Sequence, residues 1–387
     1  MSEDVGPLVS QADREVAAGN LPGARDLLTR AAQAGSDPAL WLRLAGVERA
    51  TGRPRKALEA TQRALELQPR DFVALVLRAS LIDQLQPGES GEAWGNALAN
   101  RPPGGLSPPL AAAVEKGAKI HAAWIEERSH KLAEAISATQ QRASEAEARR
   151  IERFRTNSLR LTKPFHSEPT DFHFPGLSER EFHPAEMFPW LHEVEAAADV
   201  LQQELAAVMA AERAELVPYI QYDAYLPLDQ WKALNHNADW TAIHLLRNGE
   251  RIEANARHCP RAIALLERIP QPHVRGAGPN AMFSLLAPNT HIPPHVGISN
   301  ARLVCHLPLI VPAGCWFRVG AETREWKRGE AFVFDDTIEH EAMNPSGELR
   351  VVFIFDIWHP DLSDVEREAV TALIEALGPT STGGGHP

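Results

Sequence analysis

Cysteine is scarce. Cys259, Cys305 and Cys315 are the only three in 387 residues. That odd, sparse count excludes a disulfide framework and fits no zinc-binding spacing. They read as buried structural thiols in a reducing compartment. Basic charge is in deficit too: 39 Lys and Arg against 51 Asp and Glu give −12, with no long basic run. An acidic chain repels phosphate backbones and anionic lipid, so no nucleic-acid partner is expected. No apolar run approaches the roughly 18 residues of a membrane helix, so no membrane anchor is expected. The stretch MSEDVGPLVSQADREV has no basic region leading into an apolar core, so no secretory leader is expected and a cytoplasmic location is. What remains is a globular composition, 44% apolar and 23% charged. The chain is long enough for two or three domains of about 100–200 residues.

Residues 5–104 read as helical and repetitive. Asp37-Pro-Ala-Leu-Trp41 and Asp71-Phe-Val-Ala-Leu75 open units 34 residues apart. Ala45 maps to Ala79 and Pro69 to Pro103 at that offset. An earlier unit fits at an offset of 33, Gly19 to Gly52, Ala24 to Ala57 and Ala31 to Ala64. Small residues let paired helices pack closely, and three units meet the usual minimum for a stacked core. The period resembles the tetratricopeptide (TPR) repeat. That likeness implies a concave face for a protein or peptide partner; a docking or dimerisation module with no bound peptide is the plainer alternative.

Residues 105–162 are alanine-rich and carry mixed charges at helical spacing, which predicts a solvated helical linker. Residues 163–370 change character. Leu191–Ala211 reads as a helix and Arg261–Arg268 as a short one. After residue 280, short apolar or alternating runs predict strands at Ala281–Leu286, Arg302–Pro308, Cys315–Val319, Ala331–Phe334 and Leu349–Trp358, with turn residues between them. The expected fold class is therefore α+β and multidomain, an all-α repeat region followed by a sandwich or cupin-type jelly roll. Residues 371–387 read as a tail, disordered in part.

Two of the sixteen histidines stand out by position. His295, in His291-Ile-Pro-Pro-His295-Val-Gly297, and His340, in Phe334-Asp-Asp-Thr-Ile-Glu-His340, lie at predicted strand ends. Arg350 shares one strand face with Val352 and Ile354, while Val351, Phe353 and Phe355 share the other. Both faces are apolar, so the guanidinium is buried and needs a carboxylate, from a ligand or from a neighbour such as Asp356. Two histidines for a metal and an inward arginine for an anion point to Fe(II) with 2-oxoglutarate. Arg302, Val304 and His306 alternate onto one face that lines the same cavity. Ser284 could donate a hydroxyl to the anion.

The motifs His291–Gly297, Arg302-Leu-Val-Cys-His306, Phe334–His340 and Asp356-Ile-Trp-His-Pro360 resemble the aspartyl/asparaginyl β-hydroxylase family. Phe174-Pro-Gly-Leu177 and Asp239-Trp240 lie upstream as further landmarks. The likeness implies a double-stranded β-helix and an Fe(II)- and 2-oxoglutarate-dependent dioxygenase that uses O2 and releases succinate and carbon dioxide. It implies His295 and His340 as the catalytic iron ligands. Arg350 and Ser284 then hold the far end of 2-oxoglutarate, His306 contacts it, Trp240 is a pocket aromatic and Arg302 binds substrate. The usual facial-triad carboxylate is replaced by Gly297, as is the family's habit. Asp335 and Asp336 are the nearest other carboxylates and read as turn residues. Better-known members carry an arginine where this chain has Val304, which bears on the substrate more than on the chemistry.

The leading expectation is β-hydroxylation of Asp or Asn in a protein or peptide. Alternatives are hydroxylation of a lipid acyl chain, a free amino acid or a natural-product peptide, and a TPR scaffold with an inactive barrel.

Overall fold

Polar caps and small residues set the first half of the chain. Asp37 and Asp71 each accept a backbone N–H at a helix start, from Ala39 and Ala74, so the 34-residue period repeats a capping event. Gly19 and Gly52 take φ of +76° and +72° at the turn inside the first two units, where a side chain would be strained. The computed structural model describes residues 5–211, 215–223, 225 and 229–378. It divides between Leu161 and Thr162 into two units.

In the first unit, helices α1 (Val5–Ala17), α2 (Leu21–Ala34), α3 (Pro38–Ala50), α4 (Pro54–Leu67), α5 (Phe72–Leu85) and α6 (Ser90–Ala99) pack in antiparallel succession. Ala24, Ala31, Ala45, Ala57, Ala64 and Ala79, the residues that carry the repeat, are buried at the helix contacts. The predicted linker needs correction. It forms α7 (Pro108–Gln140) and α8 (Glu145–Ser158), and the start of α7 is no solvated spacer. Val114 is buried there, with Leu110, Ala113 and Ile120 packed beside it against the cluster around Phe72, Ala93 and Trp94. Gly117 is small because Trp94 fills the space of its missing Cβ, and Gly91 yields in the same way to Trp124. The charge pattern hid this, since the apolar stripe covers only the first half of a 33-residue helix.

In the second unit the chain crosses repeatedly between two sheets, and every pairing of named strands is antiparallel. The strands are β1 (Phe182–His183), β2 (Val217–Pro218), β3 (Trp240–Arg247), β4 (Glu250–Arg251), β5 (Ala281–Leu286), β6 (Thr290–His295), β7 (Arg302–Ile310), β8 (Trp316–Val319), β9 (Glu322–Glu325), β10 (Phe332–Phe334), β11 (His340–Asn344) and β12 (Arg350–Trp358). The larger sheet runs β1-β10-β7-β12-β5-β3-β2, with β4 on β3; the smaller runs β6-β11-β8-β9. One face of the larger sheet, including Phe283, Leu303, Cys305, Phe353 and Phe355, packs on α9 (Leu191–Ala196), α10 (Ala198–Met209) and α12 (Pro260–Leu266), which follows the short α11 (Glu253–Ala256). The other face meets the smaller sheet through Met282, Val304 and Val352 against Ile292, Phe317 and Ala342.

The five predicted strands are present. The predicted single helix at 191–211 is two, broken at Ala197. Strand β3 lies before the stretch read as β. Strand β6 holds Pro293 and Pro294, which a strand tolerates because it is the edge of its sheet. The predicted tail starts too early: α13 (Asp364–Leu377) runs through residues 371–377, held by a Ser363–Glu366 capping box and by Val370 and Ile374 packed on Ala301 and Leu362. Residues 379–387 lie outside the described residues. All three cysteines are free and buried, as expected.

Candidate active site

His295 ends β6 and His340 begins β11, and the two are register partners across the strand pair. Their ring centroids are 4.0 Å apart. Each Nδ1 lies on a backbone carbonyl, His295 on Pro293 at 2.8 Å and His340 on Ile338 at 3.1 Å. A carbonyl only accepts, so Nδ1 carries the proton and Nε2 keeps its lone pair. Burial pushes His295 down to about 4 and His340 well below the ordinary value. Both rings are neutral at neutral pH, the form that binds a metal. Among the described residues no third His, Cys, Asp or Glu joins them as a metal-holding group.

Both histidines line a cavity between the sheets, shared with Trp240, Ser284, His306 and Arg350. Arg350 opens β12 with a side chain 1% exposed, and burial lowers its pKa to about 10. Among the described residues no carboxylate pairs with it: its Nε is unpartnered, Nη1 reaches the Ser284 carbonyl at 3.4 Å, and the guanidinium lies 4.7 Å from the Trp326 ring centre. Asp356, the neighbour that could have paired with it, is engaged elsewhere. The indole Nε1 of Trp240 donates to Ser284 Oγ at 3.1 Å, leaving the serine hydroxyl its own proton to donate. His306 is buried, its Nδ1 without a partner among the described residues and its pKa well below normal through burial.

Arg302, expected to bind substrate, is held by two carboxylates. Its Nη1 donates to Asp356 Oδ1 at 2.8 Å and its Nη2 to Asp336 Oδ2 at 3.0 Å, all three side chains being buried. The guanidinium bridges two carboxylates of the site wall. His291 is outside, paired with Glu341 on the exposed side. Asp335 is the turn residue expected, accepting from Thr337 N at 2.9 Å.

Asp336 was undervalued. It lines the cavity, its Oδ1 is buried with no partner among the described residues, and its carboxylate fills the space a Cβ on Gly297 would need. Burial raises its pKa to about 7. Three aromatic neighbours also escaped notice. Tyr219 stacks on Trp240 at 3.9 Å between ring centres, Trp231 lies 5.0 Å from His295, and Trp326 flanks Arg350. Only the adjacency of Asp336 to His340 gave any local signal; the aromatics are brought in from separate segments.

Residues 195–360 match the family model for Aspartyl/Asparaginyl beta-hydroxylase, and residues 38–81 match Tetratricopeptide repeat. The chain is 35% identical over 150 residues to human Aspartyl/asparaginyl beta-hydroxylase, 38% of this chain and 19% of that protein. It is 30% identical over 215 residues to Aspartate beta-hydroxylase domain-containing protein 2 of Xenopus tropicalis, 54% of this chain and 56% of that one. It is 30% identical over 197 residues to Ornithine lipid ester-linked acyl 2-hydroxylase of Rhizobium tropici, 50% of this chain and 66% of that one. The matched segment thus spans from a fifth to two thirds of these relatives.

Proposed function

We propose that the chain is an Fe(II)- and 2-oxoglutarate-dependent dioxygenase that hydroxylates an Asp or Asn residue in a protein or peptide. One observation carries the reading: a buried arginine with no carboxylate partner among the described residues, in the same cavity as two cross-strand neutral histidines. A guanidinium 1% exposed is costly alone, and a dicarboxylic cosubstrate satisfies it.

The donor set fits the absent groups. His295 and His340 would hold Fe(II) through Nε2, with Nδ1 fixed by backbone carbonyls. Arg350 and the Ser284 hydroxyl would bind the far carboxylate of 2-oxoglutarate. Bound Fe(II), 2-oxoglutarate and O2 supply the oxidant that hydroxylates an unactivated C–H bond, with succinate and carbon dioxide as products. Trp240 orients Ser284, and His306 supplies a neutral ring beside the cosubstrate. The aromatic walls would limit access of water, and Gly297, whose Cβ space is taken by Asp336, would contribute no side-chain ligand. The repeats would recruit the protein substrate.

A second reading, acyl hydroxylation, is favoured by the apolar Val304 on the cavity face and by the Rhizobium relative.

The test is anaerobic loading with Fe(II), then succinate formation from 2-oxoglutarate after oxygen is admitted. Wild type should form succinate and the His295→Ala/His340→Ala double variant none. Equal turnover in both would sink the ligand assignment.

A further inference from the structure

The walls of the cavity carry few charges. Asp336, Asp356 and Arg350 line it among the described residues, and Arg302 sits against both aspartates. The second oxygen of Asp356 accepts from Asn280 N at 2.8 Å and Nδ2 at 2.9 Å. Arg302 is therefore committed to two carboxylates, and Arg350 is the cation left for the cosubstrate. Between Arg302 and His306 on β7 stands Val304, 4% exposed, in register with Phe334 on one side and Asp356 on the other. That place could have held a further cation; it holds an apolar side chain. Asp336 Oδ1, in contrast, is a buried acceptor with no donor among the described residues.

We infer that the group the substrate delivers to His295 and His340 is uncharged, so that of the two candidate residues the chain selects the carboxamide of Asn over the carboxylate of Asp. The inference rests on the function proposed above and narrows it. A carboxylate entering this cavity would lie beside Asp336 and Asp356 with no unengaged cation among the described lining residues, and like charges in a buried site repel strongly. A carboxamide adds no charge, and its N–H can donate to Asp336 Oδ1. Leaving that acceptor unmatched is what makes a site built for a polar group discriminating.

The test uses the full chain loaded with Mn(II) and 2-oxoglutarate under argon, so that binding is read without turnover. Two peptide pools, random except for a central Asn or Asp, are passed over it, and retained peptides are counted by mass spectrometry. The Asn pool should be retained at least about tenfold better. Val304→Arg, which adds a cation to the wall, should shrink or reverse that preference; 2-oxoglutarate binding reports whether this variant is folded, and the wild-type ratio stands without it. Equal or better retention of the Asp pool overturns the inference and leaves the peptide-hydroxylase reading standing. If 2-oxoglutarate binds but neither pool is retained, the Asp/Asn reading falls and the inference with it. If 2-oxoglutarate fails to bind, the cosubstrate assignment itself is wrong and both are withdrawn.

Discussion

A single guanidinium stands apart from the other buried charges. Arg350 is buried, its Nε has no partner and no described carboxylate pairs with it, so it is held ready for an anion. Arg350→Ala should weaken 2-oxoglutarate binding by about 2–3 kcal/mol, on the order of 100-fold, measured anaerobically by calorimetry. Unchanged affinity would make the arginine a packing residue. Gly297 makes the complementary point. Its missing side chain is not an empty allowance, because the Asp336 carboxylate occupies the space. Gly297→Asp, which restores the usual triad carboxylate on paper, should therefore destabilise the fold by about 1–3 kcal/mol in urea melts. A variant as stable as its parent would show that Asp336 can move aside at no cost.

Strand pairing, at the scale of elements, joins the site. The pairing of β6 with β11 sets His295 opposite His340, and an edge position lets β6 carry two prolines into that pair. In the helical unit the contact between α6 and α7 depends on paired exchanges, Trp94 into Gly117 and Trp124 into Gly91. Gly117→Leu should pry the start of α7 from α6, at about 1–3 kcal/mol. Hydrogen exchange should then rise across residues 108–120. Unchanged protection there would mean that Trp94 finds another rotamer.

Across the second unit, the most general electrostatic property is burial of neutral histidine. Burial lowers His295 and His244 to about 4 and His183 to about 3, and moves His306, His340 and His359 the same way. The unfolded chain protonates these rings below about 6.5, whereas the folded chain resists. Their contribution is complete above that pH and is lost as pH falls toward 4. Asp335 and Asp336, raised to about 6 and about 7 by burial, act in the opposite sense, since the folded state keeps their protons. Six groups outweigh two, so metal-free protein should melt at a lower temperature at pH 5 than at pH 7.5. Equal melting temperatures would mean that the histidines find partners on protonation.

The parts of this protein written in short stretches of chain were legible without its structure. A 34-residue period, alternating apolar strands and His-x-Gly with a downstream His and Arg are local patterns, because helix packing and strand pleating repeat at fixed spacings. The repeat helices and the five strands followed from them; Trp240 and the roles given to Ser284 and His306 came from the family resemblance, and the structure places these residues in one cavity with His295, His340 and Arg350. What tertiary structure alone decided is which charge meets which. Arg302 and Arg350 read alike as inward arginines, yet one is neutralised by Asp336 and Asp356 and the other, among the described residues, by no carboxylate. Asp336 lies 34 residues from Arg302 and 39 from Gly297, and no periodicity spans such gaps. Tyr219, Trp231 and Trp326 likewise reach the site from segments with no site motif. Coulomb pairing and steric exclusion act through space, so the partition of charge within the cavity became readable only once the two sheets were closed over it.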